Sequence, residues 1–245
     1  AHGPVEIAVV GDFVPADVIA AVASTLGALP ARDPKPAYAE NRRITPPAAP
    51  ITQQYAVDTE IPRGVVEIYW PAGDAREIRR TRRDNLLAEV FSDRLRKKIR
   101  EEMGGTYSPN AAADLSDAFP GYGYLSAEAT VAPAEARKVA DAIREVAAGL
   151  ASGGVTDEEL VRAKQPVLTA LRESSRNNGY WLGTVLASAQ EFPERLDWCR
   201  SRYSDNEAIT AAELSALARE ILPTSRAHEF ISLPAAKPAG AETGK

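Results

Sequence analysis

Two side chains stand out by type and spacing in the stretch LRKKIREEMGGTYSPNAAADL, residues 95–115: Arg100, and Tyr107 seven positions on, across Gly104-Gly105. A guanidinium and a phenol are both strong hydrogen-bond donors. Brought to one point, they suit a peptide carbonyl or a developing oxyanion. From spacing alone a plainer account is favoured. A cation in the last turn of a helix gains about 0.3–1 kcal/mol from the carbonyl end of the helix dipole. Tyr107 is then a strand residue packing under the turn.

Other chemistry-bearing types are sparse. His2 and His228 are the only histidines, and neither stands in H-x-x-E-H or near a second ligand. A catalytic zinc site needs about three protein ligands, so His2 reads as a terminal residue and His228 as structural. Cys199 is the single cysteine; it excludes an intramolecular disulfide and has no nearby histidine to activate it. There is no nucleophile elbow, Walker loop or dinucleotide fingerprint. The cations Arg79, Arg80, Arg82, Arg83, Arg94, Arg96, Lys97 and Lys98 interleave with Glu77, Asp84, Glu89, Asp93, Glu101 and Glu102. At helical pairing distances that pattern describes an ion-paired surface rather than a nucleic-acid face. The net charge of −5 points the same way. No run of 18 apolar residues marks a membrane span.

The elements that must position Arg100 and Tyr107 follow from periodicity. A helix is expected from about Ala75 to Met103, because Leu87, Phe91, Leu95, Ile99 and Met103 recur every four residues. Leu86 and Val90 widen its stripe, and Gly104-Gly105 stops it. Arg100 then sits about 100° off the stripe, in the last turn. Alternation predicts strands through Tyr55 and Val57, through Val66, Ile68 and Trp70, and over 107–117 and 121–131 around the turn DAFPG. Val5–Val10 reads as a further strand, followed by a helix opened at Pro15. Residues 31–50, with five prolines, read as a linker. Later helices start at Pro133, at a capping box Thr156/Glu159, through Leu182–Ala189, and at a capping box Thr210/Glu213; Pro166 should kink the second of these. HEFISL is the last strand. Strands arriving as adjacent pairs favour an α+β fold: two layers, a mainly antiparallel sheet with helices on one face. The expectation is a single domain over 1–234 and a disordered tail over 235–245. The opening AHGPVEIAVVGDF reads as a chain beginning partway through something larger.

The ordered set VEIAVVGDF, LGALP, GVVEIYWPAG, LRKKIREEMGGTYSPNAA, GYGYLSAEATVAP and GVTDEELVRAK resembles the C-terminal half-unit of the pitrilysin/insulinase zinc metallopeptidases. These are the inverted zincins of peptidase family M16, with the mitochondrial processing peptidase-like fold. In that family the N-terminal domain carries H-x-x-E-H and a distal Glu, which hold zinc and activate water. The resemblance implies that Arg100 binds a substrate carbonyl or carboxylate and that Tyr107 stabilises the oxyanion. It also implies peptide or unfolded polypeptide substrates, and a partner domain or subunit bearing H-x-x-E-H. Nucleic acid and membrane are not expected as partners. H-x-x-E-H is absent here, so this chain is expected to bind no zinc and to be inactive alone. The expected compartment is the periplasm, with the cytoplasm as the alternative. The alternative function is an inactive scaffold or peptide-binding subunit of the same fold.

Overall fold

The computed structural model of the 245-residue chain describes residue 3 and residues 5–33, 43–103, 108–187 and 189–235, with the backbone alone over 100–103. By its internal contacts the chain forms two compact units, one of Arg42–Gln165 and Ala208–Lys245, the other of Ala1–Asn41 and Pro166–Glu207.

The first unit is built on a five-stranded sheet. Its strands are β1 (Thr52–Val57), β2 (Gly64–Pro71), β3 (Asn110–Leu115), β4 (Gly123–Val131) and β5 (His228–Pro234). They lie in the order β1-β5-β2-β4-β3. All pairings are antiparallel except β1 with β5, which is parallel. Period two decides what each strand buries. Val66, Ile68 and Trp70 of β2 stand beside Leu125, Ala127 and Ala129 of β4, all at most 1% exposed. Helices α2 (Ile78–Met103) and α3 (Ala136–Gly153) cover that face, and α6 (Ala211–Ile221) packs on both of them. The core closes on α2 through Leu86, Leu87, Val90, Phe91, Leu95 and Ile99, with Trp70 edge-on to Phe91 at 5.7 Å. This is the α+β arrangement expected, a mainly antiparallel sheet with helices on one face. Gly123 opens β4 because a Cβ there would collide with the Gly73 carbonyl oxygen.

The second unit holds α1 (Pro15–Ser24), a π-helical segment Tyr180–Leu186 and α5 (Arg195–Ala208). Helix α4 (Asp157–Ser174) runs through the expected kink point Pro166, where the division between the units falls. Arg202 lies over the Tyr180 ring at 4.3 Å, and the Tyr180 hydroxyl is 3.4 Å from Cys199 Sγ. The expected strand Val5–Val10 is not formed. Those residues are irregular and none is buried, because a short apolar run becomes a strand only where a ladder partner takes its N–H and C=O groups. Helix α5 was not expected as a separate element. The tail 236–245 lies outside the described residues.

Candidate substrate-binding site

Arg100 is in the last turn of α2, where the spacing places it. Its side chain and the whole of Tyr107 lie outside the described residues, as does His2. What the structure does describe is the frame on either side. The last described residue of the stripe is the fully buried Ile99, and β3 begins at Asn110.

A single buried hydroxyl joins these two elements. Ser92, about two turns before Arg100 and 1% exposed, accepts from the Ala111 N–H at 2.7 Å and donates to the Ala111 carbonyl at 3.0 Å. Both backbone groups of the second β3 residue are thereby satisfied from α2.

Charges fix the same end of α2 to its neighbours. The Arg94 guanidinium grips Glu159 of α4 with two 2.7 Å hydrogen bonds and donates to the Gly154 carbonyl at 2.6 Å. Gly154 has φ +75° just past α3, a backbone conformation glycine adopts readily. Glu159 also closes the expected capping box, accepting from the Thr156 N–H at 3.0 Å while its own N–H donates to Thr156 Oγ1. The Arg94 hydrogen bonds hold the Glu159 carboxyl below its ordinary range. Asp93 is pushed up by desolvation, but hydrogen bonds from Arg96 and Arg162 outweigh this and leave it lowered. Lys98 pairs with Glu145 of α3 at 2.8 Å. Further back, Arg80 forms two hydrogen bonds to Glu220, and Arg83 reaches Glu213, both on α6. The ion-paired surface expected for α2 is present. Many of its partners stand on α3, α4 and α6 rather than on α2 itself, which pairing within one helix does not foresee.

Two acidic groups are fully buried beneath this frame. Glu229 on β5 is met by Arg137 and Arg144 of α3, each at 2.7 Å. Asp84 on α2 meets Arg80 in an ion pair at 3.5 Å, and among the described residues neither of its oxygens has a hydrogen-bond partner. Burial pushes its carboxyl up to about 6, against the opposing attraction of Arg80. Among the described residues no group of three His, Cys, Asp or Glu could hold a metal ion. Zinc therefore finds no fit in the part of the chain that is described. His228 is buried at the head of β5, where its Nδ1 accepts from the Ile51 N–H at 3.2 Å.

Comparison with known proteins bears on this frame. The profile of the family described as Peptidase M16 inactive domain matches residues 4–167. The chloroplastic stromal processing peptidase of Pisum sativum is 35% identical over 100 residues, 41% of this chain and 8% of that protein's own length. Among solved structures, a peptidase M16 inactive domain from Pseudomonas fluorescens superposes with a TM-score of 0.72 at 19% identity, covering 93% of this chain and 54% of that one. The periplasmic protease PqqL from Escherichia coli gives 0.71 at 17% identity, covering 91% and 24%. At such identities the structural likeness shows the fold.

Proposed function

The chain belongs to the peptidase M16 family through that family's inactive domain, and on that premise we propose that it is the non-zinc-binding half of a zinc-dependent endopeptidase. Zinc, held by a separate H-x-x-E-H-bearing domain or subunit, supplies the activated water. This chain contributes Arg100, which binds a carbonyl or carboxylate of the peptide substrate, and Tyr107, whose hydroxyl donates to the oxyanion of the tetrahedral intermediate. The observation that carries the reading is the family match over 4–167, which spans both residues. The frame supports it, since α2 is fixed to β3 by Ser92 and to α4 by Arg94. A stabilising donor must be held in place before reaction to be effective.

The test is Tyr107→Phe in the complete enzyme. An oxyanion donor acts on the transition state more than on the bound substrate, so kcat should fall while KM changes little. Loss of one such donor typically costs about 2.7–4 kcal/mol, roughly a 10²–10³-fold fall in kcat. Unchanged kcat would return Tyr107 to a packing role and favour the scaffold.

A further inference from the structure

The sheet face turned away from α2, α3 and α6 is aromatic where an open sheet face is ordinarily polar. Tyr69 of β2 meets Tyr124 of β4 edge-on at 5.1 Å and Phe230 of β5 at 5.8 Å. Tyr55 of β1, half exposed, stacks on Phe230 at 6.5 Å. Beside these rings is a cavity of about 320 Å³ lined by Tyr69, Tyr124, Phe230, Pro46, Pro47 and His228. His228 is only 6% exposed. Its Nδ1 accepts from Ile51, so the neutral ring carries its proton on Nε2. His228 is a buried residue of the cavity wall.

The same face has a charge imbalance. Glu67 and Glu128 are directly opposite one another on β2 and β4, and Asp114 of β3 is opposite Tyr124. Opposed like charges destabilise a strand pair. The strand positions on this face include no Lys or Arg, and no ion pair offsets Glu67 or Glu128 among the described residues. Among the described residues, Glu67 accepts from the Tyr69 hydroxyl, at 2.6 Å. An anionic ligand is disfavoured here, whereas a cation meets both carboxylates and the negative faces of aromatic rings.

We propose that this face binds a basic peptide segment. An Arg or Lys side chain lies over Tyr69 and Tyr124 with its charge beside Glu67 and Glu128. A neighbouring apolar side chain enters the cavity. The site lies on the opposite face of the sheet from α2 and its Arg100. It stands or falls independently of the oxyanion role of Tyr107.

The isolated chain tests it without any turnover assay. The blocked peptide Ac-Leu-Arg-Leu-Arg-Leu-NH2 is titrated against the tyrosine ring resonances, beside the same peptide with citrulline for arginine. The expected result is a saturable shift of Tyr69 and Tyr124 that weakens with added salt. Citrulline should weaken binding at least about tenfold, as should the double variant Glu67→Gln/Glu128→Gln. Glutamine keeps an acceptor for the Tyr69 hydroxyl, so the variant preserves that hydrogen bond. Equal binding of the citrulline peptide, undiminished binding by the double variant, or no saturable shift would each overturn the proposal.

Discussion

Asp84 and Glu229 are both carboxylates at 0% exposure, yet their surroundings differ. Glu229 has two guanidinium groups at 2.7 Å. Asp84 has one at 3.5 Å, and Arg80 directs its hydrogen bonds to Glu220. Burial disfavours the charged form, so the folded chain holds the Asp84 proton up to about 6 where the unfolded chain releases it near 3.8. The folded state thus binds more protons across this interval, and its stability falls as pH rises through it, levelling above about 6. Asp84→Asn removes that penalty. A tenfold difference in proton affinity between the two states is worth about 1.36 kcal/mol, so the variant should match the parent near about pH 3 and exceed it by about 2–3 kcal/mol at about pH 7. Urea titrations at the two pH values read the difference, and a gain independent of pH would exclude titration of Asp84 as its source.

Among the elements, Ser92 makes the clearest bond between α2 and β3. Ser92→Ala strands the Ala111 N–H and carbonyl in a buried position, which should lower stability by about 1–3 kcal/mol and speed hydrogen exchange at the Ala111 amide. An unchanged exchange rate would mean that something else fixes the start of β3. Nothing in the sequence marks this serine, because a lone Ser in a helix is unremarkable until its partner strand is known. What the sequence does disclose is local and periodic: the α2 stripe, the alternation of β2 and β4, and the capping box Thr210/Glu213. Long-range pairings leave no such trace. The parallel pairing of β1 with β5 joins residues far apart in the chain. Helix α5 escapes notice because RLDWCRSRYSDNEA has no apolar stripe, and Asn206 is its one buried residue. Val5–Val10 carries the short apolar run of a strand without, among the described residues, a ladder partner to complete it. Arg100 is legible in its backbone position, in the last turn of α2.

At the scale of the whole molecule, the proposed function assigns to separate domains or subunits two tasks that a peptidase must combine. Holding zinc needs a clustered ligand set, and the described residues bring none together. Steadying the reacting carbonyl needs donors on a stiff frame, and α2 is such a frame, tied to β3, α3, α4 and α6. If the work is divided in this way, each half is inert and the pair is active. The purified chain should therefore show no stoichiometric zinc and no cleavage of an unfolded polypeptide. Adding the H-x-x-E-H-bearing partner should restore cleavage, with a rate that saturates in this chain. On the proposed role of Tyr107 as an oxyanion donor that takes no part in docking, the same addition made with Tyr107→Phe should saturate at the same concentration but reach a plateau lower by about 10²–10³-fold. Cleavage by the chain alone, with one zinc bound per chain, would show that the metal site lies within it and would overturn the division of labour.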